Sequence, residues 1–293
     1  VWDVMRPSTF EAAPLDPIAA RRERQRLQAA TPWLHDELAT QMAQRLQALR
    51  EPPQHWLDWQ PSWGGAAAEA IGAIMPKAQR WVFEDTPVGA ATPWWSRWRR
   101  SPRAWDGQRA MDMVWANMGL RSVAMPETTM RAWHSALRPG GMLMFSALGP
   151  HSLQALRALY AARGWGPPAA EFVDMHDWGD QLLQVGFADP VMDASTLVLT
   201  YSSAQTLLDD LRAMGHNTHP ERHAACRTRG WRQALLQALE ADMPRDAQGR
   251  LLLSLEVVWG QAWRGQGVRA QAQETAIAVQ DMRAMLGRGR SGA

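Results

Sequence analysis

Apolar side chains follow two different spacings along the chain. Between residues 32 and 50 they recur every three or four positions, which predicts an amphipathic helix that ends at the prolines of 52–53. From there to residue 150, short and uniformly apolar segments alternate with helical ones. Strands of a parallel sheet are buried on both faces, so this alternation predicts βαβ units. The predicted strands are HWLDW (55–59), RWVFE (80–84), MDMVWAN (111–117) and a segment within 138–150 that follows a Pro-Gly-Gly turn.

The remaining segments are mostly helical in pattern. Helices are predicted at 20–30, 32–50, 64–75, 93–100, 126–137, 151–164 and 175–186, and again from Ala204. A half-exposed strand is predicted at 193–203, where apolar and polar residues alternate, and another at 251–263. We therefore expect an N-terminal helical segment at 1–50, one α/β domain with an extra helical layer at 51–264, and a tail at 265–293.

Composition places the chain among ordinary globular proteins, at 46% hydrophobic and 20% charged residues. No apolar run reaches the roughly 18 residues of a membrane span, and the first residues show no export signal. A single cysteine, Cys226, excludes an intramolecular disulfide, which is consistent with a reducing compartment. These features predict a cytoplasmic protein without a membrane partner.

Charge and histidine clusters give weaker signals. The net charge is only +2, and Lys77 is the only lysine, so nearly all the basic residues are arginines. We interpret this bias as a compositional habit of the source genome and predict no nucleic-acid partner. The cluster RWRRSPR (97–103) is an exposed helix end or a surface for an acidic partner. His216, His219, His223 and Cys226 have spacings that metal sites use, but Pro220 interrupts that face. We predict no metal there, and instead a helix that begins near 218–220.

Several phrases, in order, resemble the S-adenosylmethionine-dependent malonyl-acyl-carrier-protein O-methyltransferases of biotin synthesis, within the class I methyltransferase superfamily. They include MDMVWANMGL (111–120), ALRPGGMLMFSALGPHSLQALR (136–157), LSLEVVWGQAW (253–263) and, most specifically, FVDMHDWGDQLLQVGFADPVMDASTLVLTY (172–201). The resemblance runs from about residue 20 to 264. It implies a doubly wound, Rossmann-like α/β sheet of seven strands with an antiparallel last strand, N-terminal helices and a helical cap. It also implies methyl transfer from S-adenosylmethionine to the free carboxyl group of a malonyl thioester.

The turn after the first strand departs from the family pattern Asp-x-Gly-x-Gly-x-Gly. That pattern falls on Asp58, Gln60, Ser62 and Gly64, so only the acid and the last glycine are kept. Glycines at such a turn let the backbone approach a nucleotide closely, and side chains at Gln60 and Ser62 oppose that approach. Trp63 either stacks on an adenine or fills the space by packing.

The other cofactor residues that the resemblance implies lie at later strand ends. Glu84, after the second strand, matches the carboxylate that takes the ribose hydroxyls, and the alternative is a solvated strand end. Asn117, after the MDMVWAN strand, matches a position that lines the cofactor cleft. The acid expected near the adenine has only Asp106 to represent it, because the chain between residues 85 and 111 is short. Asp58, Gly64, Glu84 and Asn117 are therefore the predicted cofactor-binding residues.

Three polar residues near strand ends or in the cap are the predicted substrate-binding residues: His151, Arg157 and Tyr201. Arg157 could hold a malonyl carboxylate in a bidentate pair, or could lie on a helix surface. Methyl transfer from a sulfonium depends mainly on alignment and exclusion of water, so no catalytic acid or base is nominated.

Two functions follow. The first is an active methyltransferase that uses S-adenosylmethionine and acts on malonyl-acyl carrier protein or malonyl-CoA. The second is a non-catalytic protein of the same fold that binds a protein partner. The missing glycines favour the second function, whereas the intact half of the chain from Met111 to Trp263 favours the first.

Overall fold

A computed structural model describes residues 14–29, 31–84, 103–223 and 225–265. Its centre is one seven-stranded sheet with the strand order β3-β2-β1-β4-β5-β7-β6. The strands are β1 (His55–Trp59), β2 (Gln79–Phe83), β3 (Arg103–Ala104), β4 (Met111–Ala116), β5 (Leu137–Leu148), β6 (Phe187–Tyr201) and β7 (Leu251–Arg264). The first five pair in parallel, while β7 runs antiparallel to both β5 and β6. This confirms the predicted seven-stranded fold and its antiparallel last strand.

Helices cover both faces of this sheet. They are α1 (Pro17–Ala29), α2 (Trp33–Gln44), α3 (Pro61–Gly64), α4 (Ala67–Ile74), α5 (Pro126–Ala136), α6 (Gln154–Ala162), α7 (Met175–Val185), α8 (Ala204–Met214) and α9 (Arg229–Asp242), with a 3-10 turn at Arg45–Ala48 after α2. Side chains of α2, α4, α6, α8 and α9 enter one hydrophobic cluster, and those of α5 and α7 enter the other.

The sheet supplies alternate residues to the two clusters, because successive side chains of a strand point to opposite faces. In β4, Met113 and Trp115 pack into the first cluster, whereas Val114 and Ala116 pack into the second. All four are buried. Burial on both faces is the physical reason why these strands have uniformly apolar sequences.

Several predicted boundaries were wrong. The helix predicted at 64–75 is divided, because Gly65 has a positive φ of 82° between α3 and α4. Strand β5 includes the Pro-Gly-Gly segment, which forms an irregularity in its pairing with β4. Strand β6 begins at Phe187 rather than at residue 193, because its pairing with β7 extends that far.

The helix predicted to begin near 218–220 was also wrong. The described residues there are irregular apart from a turn at 220–221, and α9 begins at Arg229, where the Thr228 side chain accepts the amide hydrogen of Trp231 at 3.1 Å. The predicted helix at 93–100 and the tail after residue 265 lie outside the described residues, and so does most of the cluster at 97–103. The division at residues 50 and 264 stays a prediction. Within the described ranges, no helix has both the length and the apolar character needed to cross a bilayer.

Candidate functional site

The chain turns sharply where β1 ends. Gln60 has a φ of 56°, a left-handed conformation that is uncommon outside glycine, and its side chain is only 1% exposed. Its amide donates to the carbonyl oxygen of Phe83 at 2.8 Å, which ties the turn to the end of β2. Pro61 follows at the first position of α3, where its fixed φ suits a helix. The sequence therefore builds a compact helical corner in place of a glycine-rich loop.

Glu84 lies at the end of β2 and faces this corner. One of its carboxylate oxygens accepts the Ser62 amide hydrogen at 2.8 Å, and the other accepts the Ser62 hydroxyl at 3.0 Å. A carboxylate at a helix N-terminus satisfies amide groups that have no partner within the helix. Glu84 thus caps α3, and the position that the resemblance assigned to ribose binding is engaged with the turn itself.

Asn117 holds the other side of the corner. Its amide nitrogen donates to the carbonyl oxygens of His35 at 2.7 Å and Gly64 at 2.5 Å. Its carbonyl oxygen accepts the Ser146 hydroxyl at 2.6 Å, and that hydroxyl accepts the Met118 amide at 2.9 Å. Asn117 and Ser146 are fully buried. One side chain therefore connects α2, α3, β4 and β5.

Helix α2 lies directly against the turn. The His35 ring donates through Nδ1–H to the carbonyl oxygen of Trp63, so Nε2 carries the lone pair that faces Arg121, 3.5 Å from its Nη1. Burial, reinforced by the Arg121 charge, lowers the pKa of His35 to about 3, so the ring is neutral. A Cβ placed on Gly65 would lie 2.6 Å from the carbonyl carbon and oxygen of His35. Gly65 is thus required for the contact between the turn and α2.

Asp58 and Trp63 complete the corner. The Asp58 carboxylate is buried and forms a 2.7 Å ion pair with Arg80. Burial nevertheless raises its pKa to about 6, although Arg80 acts in the opposite direction. The Trp63 side chain is 4% exposed, so its ring packs inside the protein. Of the two alternatives for this residue, the structure has the packed one.

A cavity of about 470 Å³ lies beside this corner, at the carboxyl ends of β4 and β5. Ligands of open α/β sheets bind at such ends. Most of its wall is apolar and comes from α2, α6, α8 and α9 and from residues after β4. Representative lining residues are Leu34, Met118, Leu148, Leu156, Tyr160 and Trp231. The cap helices therefore enclose an apolar space above the sheet.

One polar wall of the cavity is a buried ionic network. Glu23 of α1 pairs with Arg121 at 3.0 Å and accepts the His216 amide at 2.8 Å. Burial raises the pKa of Glu23, but the hydrogen bonds from His216 and the Arg121 charge outweigh it and hold the pKa below its usual value. The charge of Arg121 is thus compensated within the protein. Arg212, which also lines the cavity, is half exposed and its salt bridge to Asp209 is longer, at 3.6 Å.

The three predicted substrate-binding residues do not line this cavity. His151 is largely exposed and pairs with Glu256 at 3.0 Å. Arg157 donates to the carbonyl oxygens of Ala169 at 3.4 Å and Ala170 at 2.5 Å, and so holds a segment of the cavity wall from behind. The Tyr201 hydroxyl donates to Asp210 at 2.5 Å. Their role in binding substrate stays a prediction.

Sequence reasoning missed the polar residues that do line the cavity, notably Arg121, Arg212 and His216. Arg121 had a usable signal, since it lies four residues after Asn117 in the segment that follows the parallel strand β4. His216 was considered only as a metal ligand. Among the described residues, no group of three or more His, Cys, Asp or Glu side chains is placed to bind a metal. Asp106 accepts two amide hydrogens within its own turn, from Gln108 and Arg109.

Comparison with known proteins agrees with this architecture. No family model matches the chain. It is 35% identical over 255 residues to the malonyl-[acyl-carrier protein] O-methyltransferase of Laribacter hongkongensis, covering 79% of this chain and 82% of that protein. The protein of the same name from Gallionella capsiferriformans is 33% identical, with 80% and 85% covered.

Among solved structures, the [4+2]-cyclase SpnF superposes with a TM-score of 0.51 at 15% identity, covering 88% of this chain and 98% of that one. The YcgJ protein of Bacillus subtilis gives 0.50 at 11% identity, with 79% and 99% covered.

The strand order, the antiparallel β7 and the ligand-sized space at the strand ends define a protein of the class I S-adenosylmethionine-dependent methyltransferase fold. Within that class, identity over most of both chains shows that this chain belongs to the malonyl-[acyl-carrier protein] O-methyltransferase family. The resemblance predicted from the sequence is confirmed.

Proposed function

We propose that this chain recognises the malonyl thioester of an acyl carrier protein, the substrate that its relatives' name states, and that the cavity is the acyl site. The observation that carries the proposal is the position of the 470 Å³ cavity, at the carboxyl ends of β4 and β5 and under the helical cap. In the family, this substrate is methylated on its free carboxyl group, which removes a negative charge. A cytoplasmic location belongs to the same proposal and is supported by the single cysteine.

The lining of the cavity suits a thioester-linked chain with a charged end. Apolar side chains such as Leu156 and Leu208 can bury the thioester and its methylene groups. The free carboxylate needs a cation, and the Arg212 guanidinium at the cavity edge is the best placed, since Arg121 is already paired with Glu23. An arginine–carboxylate hydrogen bond is charge-assisted and can be bidentate.

S-adenosylmethionine is the cofactor that family membership implies, and Asp58, Gly64, Glu84 and Asn117 are the residues that would hold it. The described residues do not fit it. Asp58 is buried against Arg80, Glu84 is bonded to Ser62, and the Asn117 amide is bonded to two carbonyl oxygens of the chain. These groups are therefore engaged within the protein and do not face a bound cofactor.

Titration of the purified chain with malonyl-CoA and with acetyl-CoA tests the proposal. Both ligands share the thioester and the carrier arm, so a preference for malonyl-CoA reports recognition of the carboxylate. Arg212→Gln should weaken malonyl-CoA binding roughly tenfold or more, because a hydrogen bond to a charged group contributes about 1.5–3 kcal/mol. Acetyl-CoA binding should change little.

Arg229→Gln, at an exposed arginine on α9 outside the cavity lining, is the matched control and should leave both affinities unchanged. Failure of either thioester to bind the folded wild-type chain would contradict the proposal. Equal affinity for the two ligands would contradict the assigned carboxylate contact. Malonyl-acyl carrier protein should bind more tightly than malonyl-CoA if the carrier protein contributes contacts.

A further inference from the structure

The corner after β1 contains the groups that should meet a cofactor, and its described groups meet one another. The Ser62 amide, a donor that the turn could offer, is held by Glu84 at 2.8 Å. The carbonyl oxygens of Gly64 and Trp63 accept from Asn117 and His35. Each contact joins residues that are at least 22 positions apart in sequence. The corner is therefore stabilised by tertiary contacts within the chain.

Steric packing closes the same place. At a nucleotide-binding turn, glycine lets the backbone approach the ligand. Here Gly65 lets the backbone approach α2, since an added Cβ would be 2.6 Å from the His35 carbonyl and 2.9 Å from the Asp36 amide nitrogen. Distances under 3 Å leave no room even for one methyl group. A nucleoside between the turn and α2 would have to separate the two segments.

The corner is also continuous with the wall of the cavity. Leu34 precedes His35 and lines the cavity, and Met118 follows Asn117 and lines it as well. The hydrogen bond from Asn117 to His35 therefore fixes the two backbone segments that carry these side chains. Ser146 adds a second support, because its hydroxyl contacts both the Asn117 side chain and the Met118 amide.

The geometry points to a closed structural joint at this corner, formed by the turn at 60–65 with α2, Glu84 and Asn117. This joint takes no adenosyl cofactor. Within it, Asn117 is a positioning residue that holds Leu34 and Met118 in the cavity wall. The first half of this inference is independent of the proposed function, and the second half rests on it. A protein with such a joint recognises malonyl thioesters without methylating them.

Isothermal titration of the full chain with S-adenosylhomocysteine and, separately, with malonyl-CoA tests both halves. We expect no saturable binding of S-adenosylhomocysteine at millimolar ligand, and saturable binding of malonyl-CoA. Asn117→Ala should lower the affinity for malonyl-CoA about tenfold. If that variant does not fold, Ser146→Ala removes the neighbouring support and should weaken malonyl-CoA binding several-fold.

A matched control separates positioning from a general loss of stability. Leu182 is fully buried in α7, in the cluster on the opposite face of the sheet, and does not line the cavity. Leu182→Ala should destabilise the chain by about 2–5 kcal/mol yet keep the wild-type affinity for malonyl-CoA. An equal loss of affinity in Leu182→Ala and Asn117→Ala would overturn the positioning role.

The outcomes distinguish this inference from the proposed function. The structural joint would be overturned if S-adenosylhomocysteine bound saturably below one millimolar and Glu84→Gln weakened that binding. The control variant Glu69→Gln, at an exposed site on α4, should then leave the binding unchanged. Recognition of the malonyl thioester would be unaffected by this result. Absence of binding by either ligand would support the closed corner and refute malonyl recognition. Transfer of a methyl group to malonyl-CoA, detected by mass spectrometry, would also overturn the joint.

Discussion

Replacement of Asn117 should reveal whether this residue is a structural connection. Asn117→Ala removes two hydrogen bonds donated to main-chain carbonyls, at 2.7 and 2.5 Å, and one accepted from Ser146 at 2.6 Å. A buried intramolecular hydrogen bond contributes about 1 kcal/mol net. The three together give a loss of about 3 kcal/mol in the free energy of unfolding. For a domain of this size, that corresponds to a decrease in Tm of roughly 6–12 °C.

Asn117→Asp is the more stringent form of the same perturbation. The side chain keeps its shape, but a carboxylate oxygen then faces the carbonyl oxygens of His35 and Gly64, which can donate no hydrogen bond to the buried charge. The loss at neutral pH should therefore exceed that of Asn117→Ala, since an uncompensated buried charge costs more than a missing hydrogen bond. Part of the loss should be recovered at acidic pH, where the carboxyl group is protonated.

Urea denaturation followed by tryptophan fluorescence measures these differences. Asn217 is the control for the loss of an asparagine side chain. Its amide donates to the Pro167 carbonyl oxygen at 2.6 Å and accepts from the His219 amide, but the residue is only partly buried. Because water can replace part of these two hydrogen bonds at a partly exposed site, Asn217→Ala should cost only about 1 kcal/mol. An Asn117→Ala variant that is as stable as the wild type within 0.5 kcal/mol would refute the structural reasoning.

Two further predictions concern the same corner. Gly65→Ala should lower the free energy of unfolding by about 2–4 kcal/mol in urea denaturation, because the residue has a positive φ and the added Cβ meets the His35 carbonyl. The control, Gly72→Ala, lies in an open position of α4 and should stabilise the chain by about 0.5–1 kcal/mol. A Gly65→Ala variant as stable as the wild type would contradict the close packing of α2 against the turn. Burial raises the pKa of Asp58 to about 6 in the folded chain, so folding favours the neutral form of this carboxyl group. The contribution of Asp58 to stability is therefore present at low pH and is lost as the pH rises through 6. The stability of Asp58→Asn relative to the wild type should therefore increase by about 2 kcal/mol between pH 4 and 7, and a flat difference would show that Arg80 keeps the carboxylate ionised.

Much of the fold could be predicted from the sequence because burial leaves local patterns. The strand at 55–59 was predicted with the bounds that the structure has, since β1 buries large apolar side chains on both faces, Trp56 on one and Leu57 and Trp59 on the other. The boundary of β6 was wrong because its first residues are ordered by pairing with β7, more than sixty positions away. The helix expected near 218–220 was wrong for a similar reason. That segment is held by tertiary contacts, among them the hydrogen bond from the Asp16 amide to the Thr218 carbonyl oxygen, and not by a helical pattern of its own.

The candidate site divides in the same way. The sequence by itself determined which groups stand at the ends of the strands: Asp58 near the end of the first, Glu84 after the second, Asn117 after the MDMVWAN strand, and no glycine at residues 60 and 62. It also determined the family, since long phrases keep their order.

Only the tertiary structure decided what those groups contact. Asn117 and His35 are 82 positions apart, and Glu84 and Ser62 are 22 apart, so neither hydrogen bond leaves a local pattern in the sequence. Whether a polar group at a strand end faces a ligand or another part of the chain depends on how closely α2 packs against the turn. That distance is set by side-chain volumes and backbone angles at Gly65 and Gln60, which act only once both segments are in place.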